Sequence, residues 1–258
     1  MDKIRQKIRK FKTEIAIASV TTLLLAEVYF RRFVYAYSAK HPDLLNVINP
    51  SRFISIFFKS DLEKQAFSIF QPLFSNIINL YFRGFLENPF PQILFFLVAP
   101  VIILLILGED LKEYGFTFGD YKTGLLYTGI ILLIMAPALY WMSGLKTVVK
   151  FYTNANQGGI WWVVFRYLLY MISWEFLFRG YFYYSLEERT GSLAMWIQSV
   201  PFAIMHMGKP AIEALTCYFG GVFLGYLSMK TRSFYYAVLI HWGIYVMLSF
   251  FIYMRGGN

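Results

Sequence analysis

Residues 160–184 read IWWVVFRYLLYMISWEFLFRGYFYY, an apolar run in which only Arg166, Glu175 and Arg179 carry charge. As a helix it would extend about 37 Å at 1.5 Å per residue, more than the ~30 Å hydrocarbon thickness of a bilayer. The rest of the chain supports the same reading. Of 258 residues, 58% are hydrophobic, 21% aromatic and only 15% charged, the last well below the roughly 25% of an average soluble domain. This is the composition of a membrane protein. The net charge of +9 is spread over loops and the N-terminal tail, which points to anionic lipid headgroups and away from nucleic acid. The single cysteine, Cys217, lies in an apolar run, so neither a disulfide framework nor a cysteine-type zinc site can form within one chain.

Working outward, apolar runs bounded by charge, Gly or Pro predict membrane spans near 14–34, 90–107, 123–142, 160–184, 193–208, 211–229 and 234–254. Residues 65–82 are an eighth candidate. Ser68, Gln71, Asn76 and Asn79 interrupt that run and Pro72 would kink it, so an interfacial or re-entrant helix fits it equally. The fold class is therefore an all-α polytopic bundle of seven or eight spans. Residues 1–107 hold a basic segment, the first spans and a polar interlude at 35–64; residues 108–258 form a continuous helical core. The first twelve residues carry six basic side chains, with Ile4, Ile8 and Phe11 at helical spacing. That pattern predicts a cytoplasmic interfacial turn leading into a retained signal-anchor in the cell membrane. Loop Lys and Arg counts come out equal on the two sides in either topology, so only the basic N-terminus favours an inside start.

A charged side chain at mid-span costs about 2.5–3.5 kcal/mol on insertion scales, so such residues face the bundle interior and pair. Glu175 and Arg179, four residues apart, share a helical face and can pair with each other. Two of the three histidines, His206 and His241, also fall in apolar segments, whereas His41 lies in the polar interlude as a solvated residue. A carboxylate, a guanidinium and two imidazoles on separate helices are costly apart and cheaper together. Such a set can bind zinc through Glu175, His206 and His241, or it can move protons around a water that attacks a carbonyl. No HExxH motif is present, and the spacing leaves both chemistries open.

The stretches WEFLFRG, FAIMH and GGVFLGYLSMKTRSFYYAVLIHWGIY resemble, in order and spacing, the three-motif core of the CPBP family, the CAAX-protease and bacteriocin-processing intramembrane proteases also called Abi. The resemblance covers about the last 150 residues. It implies a metal-free intramembrane endopeptidase acting on a membrane-anchored protein or peptide. By this resemblance Glu175 matches the second glutamate of motif one, Arg179 its arginine, Phe202 and His206 motif two, and His241 motif three. Two positions depart. Trp174 stands where the family has the first glutamate, which works with the motif-two histidine to activate water. Tyr245 stands where the family has an asparagine that helps to hold the oxyanion. Tyrosine can still donate a hydrogen bond there, but an indole is a donor only and cannot act as a base, so base catalysis falls to Glu175 or His206. The alternative is a catalytically inactive relative that uses the same cavity as a membrane scaffold or adaptor. A small-molecule or ion carrier is disfavoured, because the sequence shows no inverted repeat.

Other residues have structural expectations. Gly220, Gly221 and Gly225 have the spacing that allows close helix approach. The aromatic runs YFYYSL and SFYYAVL read as interfacial belts, and residues 109–122 as a solvated loop. Arg166 is expected to snorkel to an interface, Glu213 to start a helix, and Ser173 to serve as a packing hydroxyl.

Overall fold

The computed structural model of the protein describes residues 10–25, 92–155 and 160–256. The N-terminal turn with Ile4 and Ile8, residues 26–34 of the first span, the polar interlude with His41 and the candidate span 65–82 all lie outside the described residues. Contacts divide the chain into one unit of Met1–Thr21 with Gln92–Asn258 and a second of Thr22–Pro91.

Among the described residues of the first unit the regular structure is all helical. Residues 12–21 are helical. A π turn at Ile93–Val98 leads into α1 (Ala99–Leu107), followed by α2 (Tyr121–Met142), α3 (Lys146–Ala155), α4 (Ile160–Glu175), a π segment (Phe176–Phe182), α5 (Tyr183–Thr190), α6 (Leu193–Ile204), α7 (Ala211–Thr231) and α8 (Tyr235–Met254). Three helices, α2, α7 and α8, are long and apolar enough to cross a membrane. They fall on the expected spans 123–142, 211–229 and 234–254. The expected span at 193–208 contains only the twelve residues of α6, about 18 Å of helix, too short to cross unaided. It stops before His206, whose backbone turns on hydrogen bonds to Ala203 and from Lys209.

Local chemistry sets the helix ends. Asp120 caps α2, accepting from the Thr123 amide at 3.1 Å and its hydroxyl at 2.6 Å, as an N-cap aspartate should. These bonds hold its carboxyl below the ordinary value. Gly108, at φ 74°, ends α1 in the left-handed conformation that glycine adopts without steric cost.

Every residue from Ser173 to Leu186 is buried. The π segment touches the Ile93–Val98 turn, α6 and α7 as well as its own flanking helices. Apart from Glu175 and Arg179, which pair with each other, this stretch has no charged face to offer solvent, so it takes the centre of the bundle. In contrast, α2 leaves Leu125, Leu126, Ile130, Leu133 and Ile134 exposed for lipid.

This central placement corrects three expectations. Tyr181, Phe182, Tyr183 and Tyr184 are buried in the core, as are Phe234 and Tyr236 of the second aromatic run. The loop expected to be solvated folds over them. Its Phe116 ring lies 4.7 Å from Phe176 and 5.2 Å from Phe234, and its Tyr114 and Glu109 are buried together, with the Tyr114 hydroxyl donating to Glu109 Oε2 at 3.3 Å. Arg166 does not reach an interface: it is buried, with its guanidinium 5.5 Å from the Tyr167 ring centre. Ser173 bonds the carbonyl one turn back, at Leu169, over 3.0 Å. A Cβ on Gly221 would meet Phe202 at 2.9 Å, and one on Gly225 would meet Gln198 at 2.8 Å. These two glycines let α7 lie against α6; Gly220 faces open space.

Candidate active site

Glu175 ends α4 and Arg179 lies in the π segment that follows. Both side chains are fully buried, with Arg179 Nη1 3.0 Å from Glu175 Oε2. The alignment misses hydrogen-bond geometry, so the contact is an ion pair at close range. Arg179 Nη2 also donates to the Gly221 carbonyl at 3.3 Å, and the guanidinium lies 3.9 Å from the Phe202 ring centre. Gln198 donates to the same Gly221 carbonyl at 2.9 Å. The guanidinium is thus held on three sides, by Glu175, the Gly221 carbonyl and the Phe202 ring. π segments are rare and recur at functional sites; the apolar spacing of residues 176–182 gives no sign of one.

The other carboxylate oxygen, Glu175 Oε1, lies 2.5 Å from His241 Nδ1 on α8. A carboxylate only accepts, so Nδ1 carries the hydrogen, and in the neutral ring Nε2 then presents its lone pair. His206 reaches the same state differently. Its Nδ1 lies 2.8 Å from the Phe202 carbonyl in the last turn of α6, just before it in sequence, which in the neutral ring also leaves Nε2 without a proton. The two imidazole centres are 6.1 Å apart and inclined by 23°. Glu175, Arg179 and His241 are therefore in direct contact, and His206 faces His241 across a gap.

Trp174 and Tyr245 are placed differently. The Trp174 indole crosses the His206 ring at 75°, centres 5.9 Å apart, within a wall of Phe96, Tyr170, Phe178 and Phe202. Its Nε1 is buried and, among the described residues, has no hydrogen-bond partner. Tyr245, one turn after His241, stacks on Tyr167 with centres 3.4 Å apart and packs with Leu139, Tyr152 and Leu248. Beyond His206, Lys209 pairs with Glu213 at 2.6 Å in the first turn of α7, and the Tyr152 hydroxyl donates to Glu213 at 2.7 Å.

Sequence reasoning missed Gln198, a fully buried amide on α6 that helps to place the carbonyl under Arg179. Its signal was a polar residue in an apolar run eight positions before His206. Among the described residues no group of three or more His, Cys, Asp or Glu side chains is arranged to hold a metal ion.

No curated protein and no solved structure matches this chain. A family model does match part of it, over residues 156–247. Those residues contain Trp174, Glu175, Arg179, His206, His241 and Tyr245, and the family is described as type II CAAX prenyl endopeptidase Rce1-like. The protein is thus an integral membrane helical bundle whose site-bearing segment is similar to the Rce1-like endopeptidases over residues 156–247.

Proposed function

We propose that this protein is an intramembrane endopeptidase that cuts a membrane-anchored protein or peptide by direct attack of water. The observation that carries the reading is the buried Glu175 carboxylate held between Arg179 and His241, inside the Rce1-like segment. Arg179 is the counter-ion that keeps a carboxylate tolerable in this interior. Glu175 in turn fixes the His241 ring with Nε2 free, the arrangement by which a buried acid orients a catalytic histidine. In place of the base expected at Glu175 or His206, our reading gives that role to His241, which the carboxylate holds by Nδ1: its Nε2 takes a proton as the water oxygen attacks the substrate carbonyl, and Glu175 stabilises the imidazolium that forms. When the C–N bond breaks, the same proton passes to the departing amine, so no covalent intermediate is needed. His206 Nε2, across the gap, accepts the second hydrogen of the water and aligns it. No serine or cysteine is assigned a role as nucleophile. The site belongs in the cell membrane, with the N-terminus cytoplasmic.

Cleavage of an internally quenched peptide bearing a farnesylated cysteine, by protein reconstituted in nanodiscs, tests the reading. Wild type should cut it. Glu175→Gln and His241→Gln, present at equal membrane level, should each lose roughly 10³–10⁴ in kcat, as removal of an orienting acid or of the base does elsewhere. Cleavage by both variants at the wild-type rate would sink the enzyme reading in favour of a scaffold that holds membrane segments.

A further inference from the structure

The hydrogen-bond donors around the two histidines are few. Both imidazoles spend their Nδ1 hydrogens, His241 on Glu175 and His206 on the Phe202 carbonyl. Tyr245 is stacked on Tyr167, inside the Leu139–Leu248 cluster. Among the described residues Arg179 Nε has no partner, but its guanidinium lies behind Glu175, on Oε2, whereas His241 is on Oε1. That leaves the indole N–H of Trp174, which is buried, without an acceptor, and in edge contact with His206. A native interior seldom leaves a buried donor unmade without a reason.

We propose that Trp174 is a catalytic residue whose indole N–H receives the carbonyl oxygen of the bond being cut. The assignment rests on the endopeptidase reading. The lone pair of the water oxygen forms the new C–O bond, and the carbonyl π pair moves onto oxygen. That oxygen, now negative, takes the Trp174 hydrogen bond while His241 Nε2 holds the water's proton. On collapse the pair re-forms C=O, the C–N bond breaks, and the amine leaves with the proton from His241. Acid and amine are the products. A donor that waits in a dry site and bonds best to the charged oxygen is the kind of group that lowers such a barrier. The tryptophan then supplies the oxyanion contact, and the pair Glu175–His241 supplies the base.

The test removes the N–H and keeps the ring. Benzothienylalanine at position 174 replaces the indole N–H by sulfur with almost the same shape; Trp174→Phe is the ordinary counterpart. With the farnesylated quenched peptide in nanodiscs, both should lose about 10²–10³ in kcat, with KM and the thermal unfolding midpoint near wild type. A benzothienylalanine protein with wild-type kcat, alongside an inactive Glu175→Gln, would overturn the Trp174 assignment and leave the endopeptidase reading standing. A wild type no faster than Glu175→Gln would remove that reading, and the assignment with it.

Discussion

His241 and His206 face each other across 6.1 Å, and their surroundings are opposite in kind. His241 is bonded by a carboxylate from another helix, which has its own buried counter-ion. His206 is bonded by the last turn of α6, just before it in the chain, through the Phe202 carbonyl, and is walled by Trp174 and Phe202. The two residues responsible, Trp174 and Glu175, are neighbours in sequence. Adjacent side chains diverge by about 100° around a helix, so one helix offers an indole to α6 and an acid to α8. One imidazole is set by a carboxylate and the other by a local backbone carbonyl, yet both are held through Nδ1.

The largest expected effect comes from erasing the charged half. Glu175→Gln should leave Arg179 as an uncompensated buried cation, costing about 3–5 kcal/mol of stability as well as activity. A thermal unfolding midpoint equal to wild type in nanodiscs would show that the guanidinium does not depend on this carboxylate. Trp174→Glu makes the two halves alike by giving His206 an acid of its own. With no second arginine among the described neighbours of Trp174, the added acid is expected to lower the membrane level and the melting temperature; an unchanged melting temperature together with faster cleavage would mean that the apolar half is not essential. Gly221→Ala probes the support that both halves share, the carbonyl under Arg179. Its Cβ would sit 2.9 Å from Phe202 and 3.0 Å from Ser199, an overpacking worth about 1–3 kcal/mol, visible as a lowered midpoint with kcat reduced through Arg179. The same change at Gly220, where nothing lies within 4 Å, should be silent and serves as its control.

The smallest effect belongs to a residue outside both halves. The carboxyl of Asp120 is held below the ordinary value of 3.8, first by its bond from the Thr123 side chain and then by that from the Thr123 amide. A depressed folded value stabilises the protein above pH 3.8, and the contribution is lost as pH falls through the folded value. Asp120→Ala should therefore lower the midpoint slightly at pH 7, and the gap to wild type should close in acid. A gap that persists there would assign the effect to packing.

How much of this was legible follows residue by residue. The helical class and the burial of Glu175, Arg179, His206 and His241 were legible, because a charged or polar side chain in a long apolar run has no cheap place outside the bundle. Gly221 and Gly225 were legible as points of close approach, since only small residues let two helix backbones draw together. Gln198 was passed over because one amide in an apolar helix carries no spacing signal until its acceptor, the Gly221 carbonyl on α7, is known. The aromatic runs misled for a related reason. Tyrosines near span ends suit an interfacial belt and a packed core equally well, and the loop at 109–120 that covers them is polar in sequence.

By itself the sequence determined that this chain is a helical membrane protein and that four polar side chains, Glu175, Arg179, His206 and His241, need partners inside it. Only the tertiary structure decided the pairing: Glu175 with His241, Trp174 with His206, and Arg179 on a glycine carbonyl. The physical reason is that the direction of a side chain from a helix is local, whereas the helix it meets depends on how the bundle closes. Here that direction is set after Glu175 by a π segment, whose i to i+5 bonds leave no mark on an apolar sequence.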